Sequence, residues 1–242
     1  FKPEVGAVFV IGHEFYYKLF ELLDLRLEDY LDWSVIDPVY QVYFADGSDV
    51  ALPRDVDAMA QVVKKLAPQD LDGYYRYCRD MGKIQDVLTA VTRNPMPEIR
   101  NLTRLSSLAK MMRTRALIPA LPVNLKLGLK NLEKLVASYF SDPYVQLIFG
   151  WENMYAGLPA HRCLGAFAMI TYMGHMGYYY PKGGMISIPR ALASIGQDFG
   201  AELRLGAEVD SVVVQGSEAK GVRLSSGEVL TARAVISNTH SR

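Results

Sequence analysis

The sequence has 242 residues, of which half are hydrophobic and 21% are charged, and its 26 basic side chains balance its 26 acidic ones. This composition is typical of a globular protein of one large or two modest domains, and it excludes a disordered chain. Because the net charge is zero, nothing in the overall charge points to a nucleic acid partner. The two cysteines, Cys78 and Cys163, lack the spacing of a zinc site or a disulfide framework, so we expect buried thiols in a reducing compartment.

The most apolar stretch lies at 163–180 and contains no formally charged side chain. His175 and three glycines interrupt it, which favours a buried segment or pocket wall over a membrane-spanning helix. The sequence begins without the charged and then apolar pattern of a signal peptide. We therefore expect a cytoplasmic protein.

The predicted elements begin with a short strand and a helix within 8–25. The apolar runs at 40–44 and 49–52 flank Asp46-Gly47, a pair that supplies the positive φ of a tight turn, and so predict a β-hairpin. The helical patterns that follow cover 55–66, Pro68 to Arg93, 101–116, 121–139, 142–155 and 162–176.

The pattern changes after residue 180, where residues 181–184 predict a turn and 188–199 a helix that ends before Gly200. A β-meander is predicted next, with turns at Gly216 and Ser226-Gly227. Its strands are placed at 202–205, 209–214, 221–224, 228–230 and 234–237. We therefore predict two domains, 1–180, mostly helical with the hairpin, and 181–242, of α/β type.

The predicted helices at 101–139 are basic and amphipathic. At 100° per residue, one arc of about 80° on the second helix contains six apolar side chains. These are Leu121, Leu125, Leu129, Leu132, Val136 and Tyr139. A stripe of Lys126, Lys130 and Lys134 lies opposite. The arc either packs on the protein core or lies on an anionic membrane surface, in which case the contact is peripheral.

Motifs that would identify a reaction directly are missing from the sequence, which has no Gly-x-Gly-x-x-Gly, Walker or His-Glu-x-x-His pattern. The four histidines are far apart and have no metal-ligand spacing, so we expect structural or surface roles for them and no metal site. No pair of carboxylates stands out as an acid and base. The catalytic residues are therefore left unassigned.

The last third of the sequence carries a distinctive series of motifs. They are YPKGGM at 180–185, IPRALA at 188–193, FGAELRL at 199–205, AEV at 207–209, GVRLSSGE at 221–228 and AVISN at 234–238. This series closely resembles the phytoene desaturase (carotenoid desaturase) branch of the FAD-dependent, amine-oxidase-like oxidoreductases. Near the start, GAVFVI at 6–11, with Ala7 where proline is usual, and FADG at 44–47 are also similar to that family.

The resemblance implies an enzyme that uses FAD to remove hydride from a long apolar isoprenoid, a phytoene-like carotenoid precursor. It implies a fold of mixed α+β and α/β class. A helical substrate domain with a small sheet is joined to part of a glutathione-reductase-like FAD-binding domain with a β-meander. The dinucleotide-binding βαβ unit that holds the pyrophosphate is expected outside this sequence. The chain as given is therefore expected to be inactive and not to retain FAD.

The resemblance also implies site residues. Val209, beside Glu208, is expected to contact the adenine, and Ser237 and Asn238 follow a strand that ends near the cofactor. The candidates for the substrate pocket are Gly183, Gly184, Met185, Tyr172 and Tyr178. Each has an ordinary structural alternative, such as a core strand, a turn with positive φ or simple packing.

Two other functions stay open at this point. One is an amine-oxidase-like or retinol-saturase-like flavoprotein that acts on another apolar substrate. The other is a module that binds an apolar ligand without a cofactor. A glycine-rich strand, turn and helix immediately upstream would favour an enzyme over the binding module.

Overall fold

The computed structural model describes residues 9–93, 122–123 and 127–239. By contacts, the chain divides into two compact units, Phe1–Ser187 and Ile188–Arg242. The boundary predicted near residue 180 therefore lies inside the first unit, close to its end. The substrate-binding and FAD-binding roles assigned to the two parts stay predictions.

In its described residues, the first unit is mostly helical with two small sheets. Its elements are α1 (Glu14–Leu22), β1 (Trp33–Ile36), β2 (Tyr40–Tyr43), β3 (Asp49–Leu52), α2 (Val56–Leu66), α3 (Leu71–Arg93), α4 (Leu132–Ala137), α5 (Pro143–Gly150), α6 (Ala168–Met173) and β4 (Tyr178–Pro181). Short 3-10 helices connect several of them, including Pro68–Asp70 before α3 and Trp151–Ala156 after α5. The helices predicted over 55–66 and from Pro68 to Arg93 are confirmed.

The predicted hairpin is confirmed as the antiparallel pair β2 and β3, in which Tyr40 lies opposite Leu52. Gly47 takes a φ of 86° in the turn, a conformation that glycine adopts without steric cost. The Asp46 carboxylate accepts from the Ser48 amide at 2.9 Å, which closes the turn. Local turn chemistry thus sets the register of the hairpin.

A second pairing joins distant parts of the first unit. β1 runs antiparallel to β4, with Trp33 opposite Pro181 and Ile36 opposite Tyr178. Near the predicted first strand, Val10 makes only an isolated bridge to Tyr179. The sequence analysis missed β1 and β4 because each is short and is stabilised by a partner more than a hundred residues away.

The core lies where α2, α3, α4, α5 and α6 meet the hairpin. Tyr74, Tyr77 and Met81 form one stripe of α3 and are fully buried. Gly73 allows α3 to approach closely, because a Cβ at this position would lie 1.9 Å from the Tyr139 carbonyl oxygen. Asp55 begins α2 by accepting from the Ala58 amide at 2.8 Å. The amphipathic patterns of α2 and α3 therefore face this core.

The single helix predicted over 121–139 is wrong. Asn131 has an extended backbone and accepts from the Lys134 amide, so it caps a new helix, α4. Its backbone also bridges to Leu164, a partner that a continuous helix would exclude. The break separates Leu129, which is 82% exposed, from Leu132 and the rest of α4. The helix predicted at 101–116, with Leu121, Leu125 and Lys126, lies outside the described residues.

The helix predicted over 162–176 is confirmed in part, since helical turns cover 165–176. Only Ala168–Met173 is α-helical there, and 3-10 turns precede and follow it. Glycine loses more conformational entropy in a helix than other residues and so favours such breaks. Gly177, with a φ of 103°, ends the segment. The pattern at 142–155 likewise divides into α5 and a 3-10 helix.

Up to Thr239, where the described residues end, the second unit holds one helix and one sheet. The helix, α7 (Ser187–Asp198), ends before Gly200, which has a φ of 86°. The sheet consists of β5 (Val209–Gln215), β6 (Glu218–Leu224) and β7 (Val229–Thr231), antiparallel in the order β5-β6-β7. The predicted helix and the central three strands of the meander are confirmed.

The strands predicted at 202–205 and 234–237 are wrong, since these segments have no strand partner among the described residues. Leu205 is 85% exposed and Ile236 is 97% exposed. An apolar run adopts a strand only where another strand satisfies its backbone groups. The pattern alone predicts the strand but does not supply that partner.

Helices with small antiparallel sheets agree with the α+β part of the predicted fold class, whereas the glutathione-reductase-like domain stays a prediction. Within the described ranges, no helix is long and apolar enough to cross a membrane, and no group of side chains could hold a metal ion. Cys78 and Cys163 are free, and Cys163 is buried while Cys78 is half-buried.

Candidate apolar ligand site

An apolar groove of about 310 Å³ lies between the hairpin and α5 in the first unit. Its lining consists of Tyr40, Gln41, Val42, Tyr43, Leu147, Ile148 and Trp151. None of these side chains is charged, and three of them are aromatic. Both the volume and the apolar lining are typical of small-molecule sites.

A smaller cavity of about 30 Å³ lies deeper in the same unit. Its lining consists of Val39, Tyr40, Leu52, Pro53, Met59, Ile148, Phe149, Thr171, Gly174 and His175. The Thr171 hydroxyl is buried and has no hydrogen-bond partner within the described part of the chain. Tyr40 and Ile148 belong to both linings, so they form the wall between the groove and this inner cavity.

Aromatic contacts hold Tyr40 in this wall. Its ring is perpendicular to that of Trp151 at a centroid distance of 4.8 Å, and it meets the Tyr178 ring edge-on at 5.8 Å. Its hydroxyl lies 3.4 Å from that of Tyr155. Edge-to-face geometry is favourable for such rings, which fixes the position of Tyr40 relative to α5.

The two walls of the groove are also connected at the hairpin turn. The Tyr144 hydroxyl, in the first turn of α5, donates to Asp46 Oδ2 at 2.9 Å. The Tyr144 ring packs against Phe44 with a centroid distance of 4.4 Å. Hydrogen bonds from the Ser48 hydroxyl and amide, and then from Tyr144, lower the pKa of Asp46. The carboxylate is therefore ionised at neutral pH and holds the turn against α5.

His175 lies in the wall of the inner cavity, where burial lowers its pKa and favours the neutral imidazole. Nδ1 lies 2.6 Å from the Arg54 carbonyl oxygen, which can only accept, so Nδ1 carries the proton. Nε2 is then an acceptor 3.1 Å from the Tyr74 hydroxyl, which has a single hydrogen to donate and also lies 3.1 Å from the Val56 carbonyl oxygen. Through these contacts the ring connects α3 to Arg54, in the segment before α2.

Two of the predicted pocket residues lie close to this cavity. Tyr178 is fully buried and touches Tyr40, and Tyr172 meets the His175 ring edge-on at 5.7 Å. The other three lie in the turn after β4, where Gly183 and Gly184 have φ values of 88° and 90°. The turn itself is confirmed, and Met185 is half-buried within it. A role of these five residues in binding substrate stays a prediction.

The groove residues themselves were missed by the sequence analysis. Tyr40 and Tyr43 were recognised as strand residues, and Leu147 to Trp151 as helix residues. Their uncharged, aromatic character was a signal for an apolar site. Their meeting, however, depends on how α5 packs on the hairpin.

Comparison with known proteins places the chain in a family. The sequence pattern of the family described as flavin containing amine oxidoreductase matches residues 3–242. The chain belongs to this family. The predicted relationship to the carotenoid desaturases is confirmed by curated relatives of this flavin-containing family.

The zeta-carotene-forming phytoene desaturase of Myxococcus xanthus is 26% identical over 98% of this chain and 44% of its own length. A 4,4'-diapophytoene desaturase of Methylomonas sp. is 28% identical over the same shares. The phytoene dehydrogenase of Streptomyces griseus is 29% identical over 92% of this chain and 42% of its own length. The chain thus spans less than half the length of these relatives.

The flavin-containing family implies FAD, and the second unit can be tested for its fit. The four predicted contacts, Glu208, Val209, Ser237 and Asn238, are exposed. Val209 begins β5, which pairs with β6 on one side and has no strand on the other among the described residues. An open strand edge offers unpaired backbone N–H and C=O groups, which can form hydrogen bonds with an adenine. Since the sequence has no Gly-x-Gly-x-x-Gly turn, nothing comparable fits the pyrophosphate.

Proposed function

We propose that this chain is part of an FAD-dependent desaturase that removes hydride from a long apolar isoprenoid, a phytoene-like carotenoid precursor. The observation that carries the proposal is the uncharged, aromatic groove of about 310 Å³ between the hairpin and α5. Its chemistry suits a hydrocarbon and would reject a charged substrate. The names of the relatives, phytoene and diapophytoene desaturases, support the same substrate class.

In this proposal FAD, when bound, supplies the hydride acceptor. The residues of this chain bind the hydrocarbon, orient it and exclude water. Tyr40 and Trp151 present their rings to the ligand, while Leu147 and Ile148 supply the aliphatic wall. The open edge at Val209, with Glu208, Ser237 and Asn238 in the same unit, would hold the adenine end of the cofactor.

The test is expression of the full-length coding sequence in a host that accumulates phytoene but forms no coloured carotenoid. We expect products with more conjugated double bonds, identified by chromatography and visible absorption. Leu147→Asp should reduce their amount, because a hydrocarbon bound in the groove would cover the carboxylate and remove part of its hydration. Leu164→Asp is the matched control, since Leu164 is similarly exposed and lies outside the groove. Unchanged phytoene with folded, flavin-loaded protein would reject a desaturase of phytoene.

A second function is favoured by one observation. The groove is lined by residues of the first unit alone. The groove is therefore formed without any residue of the second unit. This agrees with a module that binds an isoprenoid without a cofactor. Full-length protein that binds phytoene and forms no product would favour this module. Turnover of another apolar substrate in place of phytoene would favour the amine-oxidase-like or retinol-saturase-like alternative.

We further propose a peripheral contact with the membrane surface, which a hydrocarbon substrate would require. The support within the described residues is the exposed Leu129 and the neighbouring Lys130 and Lys134. Leu132, Val136 and Tyr139 are buried in the core, so Leu129 is the described residue of the predicted apolar arc that is left for such a contact, beside the lysines.

A further inference from the structure

The groove and the inner cavity of the first unit are separated by one partly exposed side chain. Of the two residues that line both, Ile148 is 2% exposed and belongs to the core, whereas Tyr40 is only half-buried. The Tyr40 ring extends from Trp151, in the groove, to Tyr178, in the interior. It therefore stands across the path from the groove into the protein.

We propose that Tyr40 is the specificity-determining residue of this site, because its ring ends the groove and sets the length of apolar chain that the groove accepts. The inference rests on the proposed function, since it takes the groove to be the isoprenoid site. An isoprenoid chain that enters beside Trp151 reaches the face of the Tyr40 ring and stops there. The rest of a longer isoprenoid chain stays in the open groove, where less of its apolar surface is removed from water.

The space behind Tyr40 is suited to the same ligand. Leu52, Met59 and Phe149 line the inner cavity and give it an apolar surface. Both ring nitrogens of His175 have hydrogen-bond partners, and the Thr171 hydroxyl is a buried polar group of this lining with no partner within the described residues. Removal of the Tyr40 ring would join about 310 Å³ and about 30 Å³ through the volume that the ring now fills. A ligand could then extend past position 40 into apolar surroundings.

The experiment measures affinity against ligand length. The sequence has two tryptophans, so Trp33→Phe leaves Trp151 as a single fluorophore in the groove. Geraniol, farnesol and geranylgeraniol, isoprenoid alcohols of increasing length, are titrated below their aggregation thresholds, and Trp151 quenching reports binding. In protein that retains Tyr40 (the Tyr40 protein), the affinity should stop rising as the alcohol becomes longer. In Tyr40→Ala it should go on rising, by about fourfold for each further methylene that becomes buried.

Three further variants separate the ring from other effects. Tyr40→Phe loses the hydroxyl contact with Tyr155 but keeps the ring, so it should behave like the Tyr40 protein. Tyr40→Leu gives the same test if the alanine variant does not fold. Gly174→Ala, added to either open variant, should cancel the gain, because its Cβ would lie 3.5 Å from Val39 within the inner cavity.

The outcomes distinguish the two proposals. If the alcohols bind and Tyr40→Ala shows the same length dependence as the Tyr40 protein, the role of Tyr40 is overturned and the groove stands. If no alcohol quenches Trp151 in any of the proteins, the groove is not an isoprenoid site, and the proposed function and this inference both fall.

Discussion

Asp70 accepts both hydrogen bonds that Ser141 can donate, from its backbone amide at 2.8 Å and from its hydroxyl at 2.7 Å. The second carboxylate oxygen accepts from the Asp142 amide at 2.8 Å. Asp70 precedes α3 and is only 3% exposed, so a buried carboxylate positions the loop from which α5 begins. One wall of the groove therefore depends on a single side chain distant from the ligand site.

Replacing Asp70 is expected to destabilise the first unit. Asp70→Ala leaves two partly exposed amides and a hydroxyl without their protein acceptor, which we expect to cost about 2 kcal/mol of unfolding free energy. Asp70→Asn, which keeps one acceptor oxygen, should cost less. Denaturant unfolding at neutral pH measures both. Asp72→Asn, an exposed change two residues away, is the control and should cost less than about 1 kcal/mol.

The cost of Asp70→Asn should also depend on pH. Burial by itself raises the pKa of Asp70, but the hydrogen bonds from Asp142 and Ser141 outweigh it, and the pKa is lowered. A carboxyl with a lowered folded pKa contributes stability that is fully present above the unfolded value of about 4. That stability is lost as the pH falls through the folded pKa. A difference between the two proteins that stays constant from neutral to strongly acidic pH would contradict this account.

The contact between Asp46 and Tyr144 is expected to keep the groove in shape. Tyr144→Phe removes the hydrogen bond and should weaken farnesol binding, measured by Trp151 quenching, by at most about fivefold, as for an exposed polar pair. Because the pKa of Asp46 is lowered, the effect should be present at neutral pH and disappear once Asp46 is protonated. Tyr75→Phe, at an equally exposed tyrosine of α3, should leave binding unchanged.

The chain is expected not to hold FAD tightly. Its candidate contacts address the adenine alone, and they lie on an exposed strand edge and an exposed segment. Purified chain incubated with FAD and then desalted should show little flavin absorbance. Near-equimolar flavin after desalting would show that other residues of this chain bind the pyrophosphate.

The segment at 202–206 is expected to exchange its amide hydrogens quickly. It forms no strand, and Leu203 and Leu205 are exposed. Hydrogen exchange followed by mass spectrometry should show full exchange there while β6, paired on both sides, stays protected. Strong protection of 202–206 in the monomer would contradict the prediction.

The same exposed leucines are expected to promote self-association, since unpaired apolar segments associate. Leu205→Ser should reduce the fraction of oligomer seen by sedimentation at high concentration. Leu164→Ser removes an exposed leucine from the first unit and is the control. If the unsubstituted chain is a monodisperse monomer at high concentration, these leucines do not cause self-association.

Binding to anionic vesicles is expected to depend on Lys130 and Lys134. Each basic side chain near such a surface contributes on the order of 1 kcal/mol, and salt screens the attraction. Lys130→Glu with Lys134→Glu should therefore lower co-sedimentation with vesicles containing phosphatidylserine at low salt. Lys64→Glu with Lys65→Glu makes the same charge change on exposed residues of α2 and should have little effect. Equal recovery of all proteins in the supernatant would exclude membrane binding by these lysines and leave packing on the protein core as the role of the predicted amphipathic helix.

The sequence by itself determined the elements whose stability is local. The hairpin follows from Asp46-Gly47 between two apolar runs, and α2 from an apolar stripe that begins after Asp55. The family motifs after residue 180 were sufficient for the flavin-containing family. In each case neighbouring residues carry the interaction, so the pattern is visible in one stretch of chain.

Only the tertiary structure decided the pairing of β1 with β4, the break at Asn131 and the groove. Asn131 leaves the helical conformation where it meets Leu164, and Tyr40 enters the site where α5 brings Trp151 against it. These contacts join residues separated by more than thirty positions, and neither partner carries a local signal for the other. An apolar residue is stabilised equally by any apolar neighbour, so its pattern predicts burial but not the residue against which it is buried.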